Sequence, residues 1–122
     1  MAAHATGFRV RRAYDPPEAA DGLRVLVDRL WPRGLSKERA EVAQWPKELT
    51  PSRELRSWYH AHLDQYEDFE RRFHAELLAA PAAEEAATSL RARARKGRVT
   101  LLTAVKEPDH SHLPVLLDYL RR

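Results

Sequence analysis

The chain of 122 residues contains no cysteine. That excludes disulfides, thiolate nucleophiles and thiolate metal sites, and it fits a reducing compartment, so the cytoplasm is the expected location. No apolar run approaches the ~20 residues that a membrane-spanning helix needs, and no membrane partner is expected. The start, MAAHATGFRV, lacks the basic and then apolar segments of a signal peptide. There is no glycine-rich phosphate loop, no GxSxG elbow and no zinc-protease helix signature. Charge of one sign is also missing: the formal net charge is +3, with acids and bases mixed along the chain. This balance permits an anionic ligand but lacks the basic footprint of a strong DNA binder. The length suits one domain, 1–122, with residues 1–6 as a frayed tail.

The most informative stretch is LRVLVDRLWPRG, Leu23 to Gly34. Leu23, Val25 and Val27 alternate with Arg24, Leu26 and Asp28. Because Leu26 is also apolar, the strand suits an inner position covered on both faces. A knot of Asp28, Arg29, Trp31 and Arg33 follows, closed by Pro32 and Gly34. In open α/β sheets ligands bind beyond the carboxyl ends of the strands, which makes this knot the expected place for a site. Arg33 suits a carboxylate or phosphate, and Trp31 suits stacking on a ring. A structural ion pair between Asp28 and Arg29, with Trp31 as a core plug, accounts for the same residues.

Phe8 to Tyr14 reads as a first strand at or near a sheet edge, and residues 15–22, DPPEAADG, as a connection with at most one helical turn. Ser36 opens a short helix, and Trp45 before Pro46 ends that passage as a packing anchor. Thr50 is expected to cap the next helix, with Pro51 at its first position and Glu54 in its first turn. Asp64 and Glu67 have capping-box spacing, and Tyr66, Phe69, Phe73 and Leu77 mark the inner face of a helix over 64–80 that Pro81 stops. Ala83, Ala87, Leu90 and Ala94 carry a helix to about Lys96, with Gly97 as its C-terminal stop. RVTLLTAV, residues 98–105, is a second buried strand. A last helix over about 112–121 buries Leu113, Leu116, Leu117 and Leu120, with Asp109 or Ser111 as its cap. These elements predict a small three-layer α/β domain, a short mostly parallel sheet flanked by helices.

If the two buried strands are parallel neighbours, Asp28, Arg29, Trp31 and Arg33 face Lys106, His110, Ser111 and His112 across one crevice. The last helix then points its N-terminus there, which favours an anion. Asp28 and His112 are the candidate acid–base pair. Arg29, Trp31, Arg33, Lys106, His110 and Ser111 are the candidate ligand contacts. Ser111 is equally a helix cap. His60 and His62, two apart near a helix end, diverge, and no metal site is expected.

The stretches RRAYDPPEAADGLRVLVDRLWPRG and TLLTAVKEPDHSHLPVLLDYL resemble the bacterial family called domain of unknown function 488, in its shorter YeaO-like subgroup. The pattern lies in Tyr14-Asp15, Asp21-Gly22, LVDRLWPRG and Lys106 to His112, and the resemblance covers nearly the whole chain. It implies a three-layer α/β domain and carries the family motif onto Asp28, Arg29, Trp31, Pro32, Arg33, Gly34, Lys106 and His112. It implies no established reaction, and the cofactor is unknown. Longer relatives look as if they bear cysteines in the last strand and just before the motif histidine. Thr103 and Ser111 stand at those places here, a departure that leaves a thiol role without a residue.

Three functions fit these residues. The first is an α/β domain binding a small anionic ligand, one containing phosphate or a nucleobase, or a nucleic-acid end. The second is a small hydrolase or transferase using Asp28 and His112. The third is a structural or protein-interaction module in which the polar clusters close the sheet. The oligomeric state is open.

Overall fold

The computed structural model describes residues 5–122. Three strands make a wholly parallel sheet in the order β1-β3-β2: β1 is Gly7–Arg12, β2 is Leu23–Leu26 and β3 is Arg98–Thr103. Five α-helices accompany it: α1 Lys37–Ala40, α2 Arg53–Ala61, α3 Tyr66–Ala79, α4 Pro81–Lys96 and α5 Leu113–Leu120. The chain is a small α/β fold, as its alternation of buried strands and amphipathic helices predicts. Residues 1–4 of the expected tail lie outside the described residues.

The sheet has two unlike faces because successive strand residues point to opposite sides. Phe8, Val25, Val99 and Leu101 lie on one face and share a core with Leu55, Phe69, Phe73, Leu77, Leu90, Leu113 and Leu116 of α2 to α5. The other face carries Ala13, Leu26 and Leu102, covered by Trp31, Leu35, Val42 and Trp45. That covering layer is mostly irregular chain with the single turn α1. Its two indoles meet edge to face with centroids 5.5 Å apart.

β2 is not the inner strand that its burial pattern suggests. β3 is central, and β2 lies at an edge whose free groups are taken up by the chain returning after α1. The Leu26 N–H donates to the Gln44 carbonyl at 2.9 Å, and the Ala43 N–H donates to the Arg24 carbonyl at 2.9 Å. Burial on both faces therefore marks a capped edge here. β1 is at the opposite edge, as its arginines indicate.

The connection between β1 and β2 crosses the sheet with only a 3-10 turn at Ala19–Asp21. One buried carboxylate holds it down. Asp21, with no exposed surface, bonds Arg9 and Arg11 of β1 and Arg24 of β2, while its carbonyl accepts from the Thr100 hydroxyl of β3 at 2.6 Å. Arg9, Arg11 and Arg24 are thus the wall of an internal ion cluster. Gly22 follows at φ 60°, where a Cβ would stand 2.1 Å from the Arg98 carbonyl oxygen, so a glycine is required.

Helix ends correct three local expectations. Ser52, not Thr50, caps α2: its hydroxyl accepts from the Leu55 N–H at 3.1 Å, while Thr50 donates to the Lys47 carbonyl at 2.6 Å. Pro51 therefore stands ahead of the cap. No side chain caps α3, whose N-cap is Gln65, so the spacing of Asp64 and Glu67 forms no capping box. Gly97 ends α4 in extended backbone, φ −168° and ψ 179°, because it leads straight into β3. Pro81 does close α3, by serving as the first residue of α4.

Candidate functional site

The parallel pairing of β2 with β3 brings the two polar clusters to one end of the sheet. At their meeting point Asp28, just past β2, reaches the end of β3. One carboxylate oxygen accepts from the Thr103 hydroxyl at 2.7 Å, and the other accepts from the Ala104 N–H at 2.7 Å. His112 stands behind it, with Nε2 3.3 Å from Asp28 Oδ1 and 2.7 Å from the Val27 carbonyl oxygen. A carbonyl only accepts, so Nε2 carries the hydrogen and Nδ1 is the ring nitrogen left free. Burial works to raise the Asp28 carboxyl. The bonds from His112, the Ala104 N–H and Thr103 outweigh it and hold the group below the usual carboxylate range. Asp28 is thus ionised at neutral pH with both oxygens engaged, and it ties the ends of β2, β3 and the start of α5 together.

The loop from Glu107 to His112 contains a 3-10 turn, Pro108–His110, and is fastened by tyrosines of the helical layer. Tyr59 donates to the His110 carbonyl at 2.9 Å, and Tyr66 donates to the Ser111 carbonyl at 2.7 Å. Burial first, and then neighbouring carboxylates, raise both phenols, so they remain donors at neutral pH. The Ser111 hydroxyl donates to the Pro108 carbonyl at 2.6 Å and accepts from the Leu113 N–H at 3.1 Å. The N-cap of α5 is His112, whose side chain makes no cap bond, and not Asp109 or Ser111; Ser111, one residue ahead of it, takes up the Leu113 N–H. It leaves little of that helix N-terminus for an anion, since the next residue, Pro114, has no N–H.

Around this brace lies an open cleft of about 510 Å3. Its floor is Asp28, Ala104, Ser111 and His112. One wall is the stretch Arg29 to Arg33, and the other is the outward face of α2, with Arg56, Tyr59 and His60, continued by Leu63 just past the helix end. Three of the four large exposed apolar side chains of the described residues, Tyr14, Leu30 and Leu63, sit on this one cleft. Scattered exposed apolar residues are ordinary; here they gather at one concave surface.

The expected site residues divide clearly. Asp28, Arg29, Trp31, Arg33, His110, Ser111 and His112 all line the cleft, whereas Lys106 is exposed and does not. Arg29 is partly spent on structure, donating to the Thr50 hydroxyl at 3.3 Å and the Pro51 carbonyl at 3.4 Å. Trp31 is oriented by its indole N–H, which donates to the Leu35 carbonyl at 2.6 Å. Trp45 is a packing anchor, donating to the Asp28 carbonyl at 2.7 Å. Arg33 is exposed, and its carbonyl is held by the Tyr14 hydroxyl at 2.9 Å. The α2 wall is what residue-by-residue reasoning missed. Its signal is the i, i+3, i+4 spacing of Arg56, Tyr59 and His60, a second stripe beside the one that holds Leu55. His60 and His62 diverge as expected: His60 faces the cleft, while His62 stacks on Trp58 with centroids 4.6 Å apart.

Among the described residues no helix is long and apolar enough to cross a membrane. Residues 7–122 match the protein family described as "Inactive DUF488-N3 subclade". The chain is 42% identical over 114 residues to the uncharacterized protein YeaO of Escherichia coli (strain K12), covering 93% of this chain and 96% of that one. It is 39% identical over 115 residues to the uncharacterized protein Rv3073c of Mycobacterium tuberculosis (strain H37Rv), covering 94% of each. No solved structure matches it.

Proposed function

The chain belongs to the inactive DUF488-N3 subclade, and from that premise we propose that it is a non-catalytic binding domain for a nucleotide-like ligand, a planar base joined to a phosphate. The observation that carries this reading is the make-up of the cleft. Its walls are aromatic and apolar (Trp31, Tyr59, Leu30, Leu63), and guanidinium groups of Arg29, Arg33 and Arg56 stand among them. Flat apolar walls suit a base, and arginine suits a phosphate through its planar fork of donors. Asp28 contributes shape more than charge, because its oxygens already accept protein hydrogen bonds. Proton transfer is poorly served: the carboxylate is held ionised, and Nε2 of His112 is committed to a main-chain carbonyl.

A thermal-shift panel of nucleotides, nucleosides, sugar phosphates and short oligonucleotides tests the reading. A ligand at one hundred times its dissociation constant stabilises the native state by about 2.7 kcal/mol, which is readily seen in a domain of this size. The expected hit is a mononucleotide whose shift disappears in Arg33→Ala/Arg56→Ala and persists in Lys106→Ala. No hit in the panel, or one that the double variant retains, refutes the assignment. The hydrolase or transferase reading keeps one observation, the unpartnered Nδ1 of His112 on the cleft floor. It requires turnover that His112→Ala abolishes while binding persists.

A further inference from the structure

A second pocket of about 450 Å3 opens at the other end of the sheet, beside the start of β2. It is lined by Gly22, Leu23 and Arg24, by Glu41 and Ala43 after α1, and by Arg93 of α4. Arg24 is 5% exposed, and its guanidinium is satisfied on two sides: Nε donates to the Ala40 carbonyl at 2.9 Å, and Nη1 to Asp21. Its Nη2 is buried with no partner, alone in this among the buried side-chain polar atoms of the described residues. A buried cationic donor without an acceptor is costly, so such a group at a pocket wall points to an occupant. Arg93 is exposed and, among the described residues, forms no ion pair; the same holds for Arg95 and Lys96 that follow it. The two carboxylates at the pocket differ. Glu18 is engaged by Arg9 at 3.0 Å, while Glu41 has no ion-pair partner among the described residues. Glu41 is held in place by left-handed backbone, φ 47°, at the end of α1.

We propose that this pocket is an anion site that takes a phosphate group between Arg24 and Arg93. The ligand supplies the acceptor that Nη2 lacks, reaching it by a small outward shift of the pocket wall, and Arg93 closes over it from α4. Glu41 acts as a gate of like charge that the anion must displace. The site is separate from the nucleotide cleft and does not depend on that reading.

The test is a titration of 15N-labelled protein with inorganic phosphate at constant ionic strength and pH 7, followed by amide spectra. Saturable shifts are expected at Gly22, Leu23 and Ala43. Arg93→Gln, which removes no structural bond, weakens them about tenfold, the loss expected for one charge-assisted contact. Glu41→Gln tightens binding, and Lys106→Gln leaves it unchanged. Arg24 itself is not varied, since it braces Asp21. Shifts that never saturate, or that are equal in wild type, Arg93→Gln and Glu41→Gln, overturn the proposal and leave a water as the pocket's occupant.

Discussion

Replacing Asp28 with alanine separates a structural brace from a catalytic acid more sharply than any other change. The substitution removes the acceptors of the Ala104 N–H and the Thr103 hydroxyl, each at 2.7 Å, and the second partner of His112 Nε2. An orphaned main-chain donor costs about 1–3 kcal/mol, and the buried Thr103 hydroxyl, left without its acceptor, adds roughly 1. The sum is about 2–4 kcal/mol, or a melting temperature lower by roughly 6–15 °C in a domain of this length. Asp28→Asn is milder, because it keeps one acceptor, although its amide group sets a donor against a donor on the other side. The pH dependence has a definite sign. A carboxyl held below its ordinary value in the folded state contributes stability that is fully present above the unfolded value of about 3.9 and is lost as pH falls through the folded value. The gap between wild type and Asp28→Asn, read by chemical denaturation, is therefore full at neutral pH and closes on acidification below about pH 4. A melting temperature for Asp28→Ala within about 2 °C of wild type, or a gap that widens on acidification, refutes the brace.

Other variants probe the parts that hold this end in place. Burial works to raise the Asp21 carboxyl, but the Glu18 N–H and three guanidinium groups hold it at about 2. Wild type therefore loses stability progressively between about pH 4 and pH 2. Asp21→Asn, which leaves those guanidiniums without their shared partner, is destabilised at neutral pH by about 3–5 kcal/mol and shows less of that acid slope in denaturant titrations. Gly22→Ala places a methyl group 2.1 Å from the Arg98 carbonyl oxygen at φ 60°. It is expected to cost several kcal/mol, on the order of the strongest single-residue effects, in urea unfolding. Ser52→Ala removes the cap of α2 and a hydroxyl bond to Glu76. About 1–2 kcal/mol should be lost, measured as a lower urea midpoint at unchanged slope.

Much of the fold is legible in local pattern, because burial of alternating and 3.6-spaced residues is a local signal. The run Val99 to Leu102, apolar but for Thr100, marks a strand covered on both sides, and it is the central one. Leu23 to Val27 carries the same mark for another reason: its edge is closed by Gln44, some twenty positions away, and no local pattern announces that. Arg9, Arg11 and Arg24 look like solvent-facing residues until the connection lays Asp21 over them. Convergence of charges through tertiary contact is invisible to periodicity. At the site, Asp28 and His112 were legible as a pair because both follow buried strands. Their roles were not, since the same two side chains suit a brace or an acid–base pair and only the bonds made by each atom decide. The α2 wall was hidden because Tyr59 serves both the core and the cleft.

On the proposed function, the cleft at the carboxyl ends of β2 and β3 binds a nucleotide without altering it. Saturation-transfer difference NMR on a mixture of nucleoside monophosphates with substoichiometric protein, followed overnight, reads both halves at once. Transfer to base protons is expected, with its loss in Arg33→Ala/Arg56→Ala and a ligand spectrum unchanged at the end. Absence of transfer in wild type contradicts binding, and new product signals contradict the claim that the site is non-catalytic and return Asp28 and His112 to an acid–base role.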